Sequence, residues 1–488
     1  MRNALVQDLS RRPSSTWILL PVAGLAVLTI FGPFPSAAVL GLAALVAVGG
    51  LAALFLHVDL SLGLVAWLLV FPFYRGWSFL QFPGMPNIGP DRLIWLALLG
   101  IVFVSWALRR DEGFRPGAVE AAMLVFLAVT VYSMARVGAL SDRDAVGDFL
   151  GRHFIPLTLF VVARFLTRNE DQFRRFLVAA SLMALYLGFT AICENYKLNA
   201  FVFPRYIMNP NIGTHFGRAR GPLLQAAANG TLLGMLFILN LYAALHVRGA
   251  LRSLFSAAAG LAVVGIYFTY TRAAYLGLLA GMAFYFVRSS RARRILLAST
   301  PLIVLLAVVV VPVLVGHYEQ ARSDDTLPVL DRINLWATAL NMFVHSPIWG
   351  HGFYTFPVLS PRYFVEVIKL PRFWVGHGTP SHNSLLEILS DEGLAGFVPY
   401  VAIFVLLALA FRRIRWEGNL LDSDVLPLFW GLTAVLWVNS FFIVQNRVII
   451  FGLYFLFCGA LLGVGTRLTA RGESKPGAWQ LKLEGETG

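Results

Sequence analysis

The chain has 488 residues, 58% of them hydrophobic and only 13% charged, with a formal net charge of +13 and two cysteines. A soluble protein carries roughly 25% charged residues, so this composition excludes a soluble enzyme and specifies an integral membrane protein. The basic excess then reads as arginines holding loops at the membrane rather than as a nucleic-acid surface. Cys193 and Cys458, both in apolar segments, supply neither a disulfide framework nor a zinc site.

A spanning helix needs about 20 mostly apolar residues, with about 17 as a practical minimum. The basic start MRNALVQDLSRR leads into an apolar run with no small-residue cleavage site, so that run reads as a retained span. Candidate spans lie at 16–32, 34–56, 59–74, 92–108, 117–137, 153–166, 176–193, 223–246, 254–270, 273–287, 295–315, 393–411, 425–444 and 447–464. Those at 59–74, 153–166 and 273–287 are short. The expected fold is therefore all-α: a polytopic integral membrane protein with 12–14 transmembrane helices and one large outer loop containing amphipathic helices. The expected organisation is N-terminal spans over 1–110, spans bearing outer-face arginines over 111–315, the large loop over 316–392, C-terminal spans over 393–466, and a disordered cytoplasmic tail over 467–488.

Orientation follows from the arginines. With a cytoplasmic N-terminus, every second loop is basic: Arg109, Arg110 and Arg115; Arg164, Arg168, Arg174 and Arg175; Arg248 and Arg252; Arg288, Arg291, Arg293 and Arg294; Arg412, Arg413 and Arg415. The loop 138–152, with three aspartates, falls outside. Three outer places break the rule: the 194–222 loop with Arg205, Arg218 and Arg220, the turn at Arg272, and the 316–392 loop. An arginine at a membrane edge needs an anionic partner, and its planar fork suits phosphate oxygens. The competing reading of Arg272 is a salt bridge to an acid such as Glu194.

Within the large loop, "PVLDRINLWATALNMFVHSPIWGHGFYTF" (328–356) places Ile333, Trp336, Ala337, Leu340, Phe343 and Val344 at helical spacing. It is expected to be an amphipathic helix on the membrane or over a cavity, with this stripe used for packing. The loop closes on "SHNSLLEILSDEGLAGF" (381–397). Ser381 or Ser384 can cap a helix there, with Ser384 and Glu387 spaced as a capping box. His382 then sits at the first turn, where the helix dipole attracts phosphate and disfavours imidazolium, leaving the neutral form a general base needs. The other eight histidines are expected to be structural or solvated, with His377 the nearest alternative.

These residues resemble the bacterial O-antigen ligase and polysaccharide polymerase superfamily. The ligase signature reads His382, Asn383, nine residues, Gly393, two residues, Gly396; "RARGPLLQAAANG", "TYTRAAYLGLL" and "DRINLWATALNMFVHSPIWGHGF" are similar to the family in the same order. The resemblance covers roughly residues 150–465. It implies metal- and cofactor-independent glycosyl transfer from a polyprenyl-diphosphate-linked glycan, at the periplasmic face of a bacterial inner membrane. The acceptor would be lipid A–core for a ligase, or a second lipid-linked glycan for an O-antigen or exopolysaccharide polymerase. By the resemblance His382 is the catalytic base, and Arg220 and Arg272 hold the diphosphate. Arg218 competes with Arg220 for the first of these places. Asn383, Glu387, Gly393, Gly396 and Arg332 support the site. Membrane lipids are expected partners and nucleic acid is not. A transporter or lipid-glycan flippase would instead carry ionisable residues near the bilayer midplane, and the spans are almost free of them.

Overall fold

The computed structural model describes residues 59–71, 89–107, 115–294, 296–298, 327–369, 379–418, 420–444 and 447–473. The expected spans 16–32 and 34–56, nearly all of 295–315, and His377 lie outside the described residues. The chain divides into two compact units, Met1–Pro83 with Asn87–Asp111, and Gly84–Pro86 with Glu112–Gly488. In the first, α1 (Ser61–Val70) packs on α2 (Pro90–Ala107).

The second unit carries the rest. Its helices α3 (Ala118–Arg136), α4 (Arg143–Leu166), α5 (Glu170–Asn195), α6 (Ala226–His246) and α7 (Ala250–Phe268) are long and apolar enough to span, and the shorter α8 (Arg272–Arg288, 17 residues) follows them. A loop helix, α9 (Leu327–His345), follows, and then α10 (Ser384–Arg413), α11 (Val425–Phe442) and α12 (Val448–Glu473). Among the described residues no strand occurs, and nine helices are long and apolar enough to cross a membrane. Lipid offers no partner for a bare amide or carbonyl, so helices, which satisfy their backbone internally, are the form such segments take. Where two helices touch, small residues allow it. Gly459 and Gly463 of α12 lie against the backbone of Phe160 and Arg164 in α4, and Gly281 of α8 faces Gly431 of α11.

The two ends of this bundle differ. One end gathers the basic turns: Arg164 pairs with Glu120, Arg467 donates to the Thr167 carbonyl at 3.0 Å, and Glu170 accepts from Leu421 N at 3.0 Å. The other gathers the loops expected outside. Arg136 donates to the Gly350 carbonyl at 2.7 Å, Ala219 N to the Phe268 carbonyl at 2.9 Å, and Ser384 Oγ to the Ile443 carbonyl at 3.1 Å.

Several expectations are corrected. The stretch 138–152 is not an open loop: a 3₁₀ turn (Ala139–Ser141) leads into α4, whose first turn is capped by Asp142 accepting from Asp144 N at 2.8 Å. A π-turn at Leu150–Phe154 then joins it to the spanning part. The last helix runs to Glu473, past Arg467 where a disordered tail was expected to begin. The apolar stripe of α9 is not its packing face. Leu335, Ala339 and Met342 pack on Phe356, whereas Ile333, Leu340 and Val344 are exposed. Trp336, Ala337 and Phe343 of the stripe are half-buried, the Trp336 ring 5.1 Å from that of Phe441. Both faces of α9 are apolar, so periodicity alone did not separate them.

Candidate functional site

α10 is two helices joined across a kink at Gly393, whose φ of 64° and ψ of −159° are open to glycine alone. The break frees backbone groups, and the turn "SPIWGHG" takes them up. His351 N donates to the Ser390 carbonyl at 3.0 Å and Gly352 N to Asp391 at 2.7 Å. Leu394 N donates to the Pro347 carbonyl at 2.8 Å, and Ala395 N to Ile348 at 2.9 Å. A Cβ on Gly393 would lie 2.6 Å from Gly350 N and closer still to the Ile348 carbonyl, so the first signature glycine is where two backbones meet. At Gly396 a Cβ would lie 2.7 Å from Glu392 Oε2. That oxygen accepts from Thr130 Oγ1 at 2.8 Å, fixing α10 to α3.

His382 immediately precedes the short first half of α10. Its backbone is left-handed, φ 54°, a conformation that costs a residue with a Cβ about 1–2 kcal/mol and persists only where neighbours impose it. The neighbours are visible. Asn383, not Ser381 or Ser384, is the N-cap: its Oδ1 accepts from Leu385 N at 3.0 Å and Leu386 N at 3.1 Å. Ser381 is buried, donating through Oγ to the Asn383 carbonyl at 2.9 Å and to Glu387 Oε2 at 3.0 Å. His382 is thus clamped from both sides while its own ring stays half-buried. Burial and the Arg332 guanidinium push its pKa below the ordinary histidine range, against a smaller upward pull from Glu387. The neutral imidazole is the favoured form.

Glu387 ties this corner to α4. Its Oε1 accepts from Arg152 Nη1 at 2.7 Å, and Arg152 Nε lies 2.7 Å from Asp148 one turn earlier. With His153, Tyr354, Asp391 and Glu392 these groups line a small cavity beside the His382 clamp. Asp391 anchors the opposite wall, accepting from Tyr354 N at 3.0 Å. Asp148, Arg152 and Thr130 carry no local signal that would single them out. They lie more than 230 residues from the α10 groups they hold, and the only hint is the i, i+4 spacing of Asp148 and Arg152.

The arginines divide by role. Arg220 is 1% exposed, and its guanidinium donates to the carbonyls of Ile212 (2.7 Å), Ile207 (2.7 Å) and Asn209 (2.6 Å) and sits over the Phe216 ring. It knits the 205–225 loop from within. Glu194 is occupied with that loop too, accepting from Arg220 N at 3.2 Å and Gly221 N at 2.9 Å, so its carboxylate serves the backbone. Arg218 is half-buried on the same loop, and Arg272 is exposed at the first position of α8. A short chain of contacts joins these places to His382. Ser384 holds the Ile443 carbonyl, and Ile443 packs with Ala227 and with Ala273, the residue after Arg272. The starts of α6, α8 and α10 therefore meet the end of α11 at one place, with α9 and its Arg332 beside it through Trp336 and Phe441.

Asn383 Nδ2 is a buried donor with no hydrogen-bond partner among the described residues, next to His382. The corner thus offers a neutral base, an unused amide donor and cationic groups around one spot, the set needed to deprotonate a hydroxyl next to an anion. A search of curated proteins finds no match. Residues 257–401 match the family model described as O-antigen ligase. That stretch, less than a third of the chain, holds Arg272, Arg332, His382, Asn383 and both signature glycines, and over it the chain is similar to the O-antigen ligase family.

Proposed function

We propose that the protein transfers a glycan from a polyprenyl-diphosphate carrier to an acceptor hydroxyl at the outer face of a bacterial inner membrane, with His382 as general base. Neutral His382 takes the acceptor's proton, and the acceptor oxygen attacks the anomeric carbon. The bond from that carbon to the diphosphate breaks with its electron pair leaving on the phosphate oxygen, so direct attack inverts the anomeric centre. Arg272 and Arg218 bind the diphosphate and stabilise the charge it gains. Arg332 keeps His382 neutral and lies beside the same anion, and Asn383 Nδ2 supplies a further donor. Arg220, Glu387, Gly393 and Gly396 hold the corner in shape. The reaction draws on no metal at this face.

The observation that carries this reading is the His382 clamp. A histidine held in a left-handed conformation, neutral, beside Arg332 and one contact chain from Arg272, is arranged for proton transfer at an anionic substrate. A ligase and a polymerase would share this donor site and differ in the acceptor. The signature favours the ligase, whereas the added N-terminal spans favour a polymerase.

Product analysis with the purified full chain tests it. Wild-type protein given lipid-diphosphate glycan should form a new glycosidic bond in the presence of chelator, and His382→Ala should form none while still binding the donor. Offering lipid A–core in one reaction and only lipid-linked glycan in another separates ligase from polymerase. A folded His382→Ala protein that transfers glycan at near wild-type rate would overturn the assignment. A wild-type protein that moves the lipid without forming a bond would favour the flippase.

A further inference from the structure

His246 ends α6 at the basic end of the bundle, the opposite end from His382. Its ring is enclosed, stacked on Tyr242 with centroids 4.2 Å apart. Nδ1 lies 2.7 Å from the Tyr242 carbonyl, an acceptor only, so Nδ1 carries the proton and donates it. Nε2 faces two carboxylate oxygens, Asp422 Oδ1 at 3.0 Å and Asp424 Oδ2 at 3.5 Å. A lone pair facing two anionic oxygens at these distances is repulsive unless a cation, a proton or a metal, sits between them.

We propose that His246 Nε2, Asp422 Oδ1 and Asp424 Oδ2 bind a first-row divalent cation of the zinc type, clamping the stretch 420–424 before α11 to the end of α6. The three ligand atoms all lie within 4.8 Å of one another. A tetrahedral zinc with bonds of about 2.0–2.1 Å sets its ligands roughly 3.3 Å apart, close to the two separations found. The outer partners are those a metal site uses. The Nδ1 hydrogen bond to a carbonyl fixes the tautomer that leaves Nε2 free to ligate, and Arg291 Nη2, 3.3 Å from Asp422 Oδ2, orients that carboxylate. The Tyr285 side chain is fully buried beside the same groups: the charges that reach it come from Asp424, Asp422 and Arg291, with the Ser289 hydroxyl as its hydrogen-bonding neighbour. Asp422 is a quarter exposed, which leaves a path for the ion and an open fourth position.

Metal content and stability of the full chain in detergent, stripped by chelator and then given zinc chloride, test this. Wild type should retain close to one zinc per chain after desalting and gain thermal stability on zinc addition. His246→Ala and Asp424→Asn should lower zinc affinity at least tenfold and lose the gain, and Tyr285→Phe should weaken it less. Cobalt(II) added to stripped wild type should give the visible absorption of a low-coordinate site, a readout that does not depend on any variant folding. Stripped wild type that neither retains zinc nor colours with cobalt, and is stabilised only by acidification, would overturn the proposal in favour of a proton bridge. Zinc retention unchanged in Asp424→Asn and His246→Ala would overturn it equally.

Discussion

Arg152 and Glu387 form a 2.7 Å ion pair across 235 residues of sequence, and the other oxygen of that carboxylate holds Ser381, the residue before His382. The pair is nearly enclosed, with side-chain exposures of 11% and 7%. Removing one partner of such a pair leaves the other charge buried, at a cost of about 3–5 kcal/mol. Arg152→Ala should therefore lower the apparent unfolding temperature in detergent markedly and reduce turnover. Arg152→Lys should recover part of both. Equal stability of wild type and Arg152→Ala would show that the pair does not position the corner.

Gly393→Ala places a methyl group against the Ile348–Gly350 backbone and imposes a left-handed φ on alanine. The conformation alone costs about 1–2 kcal/mol, and the overlap adds about 1–3 kcal/mol. Gly260→Ala is the control, since a Cβ there meets nothing within 4 Å and helix propensity favours alanine by about 1 kcal/mol. Thermal unfolding should separate the two in opposite directions. Gly393→Ala as stable as wild type would contradict the docked break.

Arg218 and Arg220 should behave differently although they are two residues apart. Arg220→Ala strips the donors from three carbonyls inside the 205–225 loop, so the expected result is lower yield and stability. Arg218→Ala should express normally and weaken donor-lipid binding by about 30-fold, the equivalent of about 2 kcal/mol for one charge-assisted phosphate contact. Arg272→Ala should match Arg218→Ala, with Arg272→Lys recovering only part, because lysine lacks the bidentate fork. Binding assays with normally expressed protein decide this. Intact donor affinity in Arg218→Ala would remove it from the diphosphate site.

The pH profile reports Arg332. A general base works in its neutral form, so activity is lost as pH falls through the pKa of His382. Burial and Arg332 hold that pKa below the ordinary value of about 6.5, which extends activity toward acid. Arg332→Ala removes a nearby positive charge, raises the pKa, and should move the acid limb of kcat/KM to higher pH. An unmoved limb would mean that Arg332 acts on substrate alone or not at all.

Membrane character and the places of the nine described helices long enough to span were legible in the chain itself. Hydropathy is a property of composition, and a segment in lipid has only the helix available to satisfy its backbone. His382, Asn383, Gly393 and Gly396 were legible as well, because they lie within fifteen residues of one another and their spacing is itself the constraint. The choice of Asn383 over its serine neighbours as cap, the break in α10 and the face of α9 that packs were not. Each depends on which neighbour arrives from elsewhere: Glu387 leaves the cap to Asn383 because Arg152 and Ser381 claim its carboxylate, and Gly393 bends because residues 347–352 bond to both sides of it. Arg220 illustrates the same limit most plainly. Sequence named it for the diphosphate with Arg218 as its competitor, and only folding decided that its guanidinium turns inward to three backbone carbonyls, since burying that charge required acceptors that the loop alone could close around it.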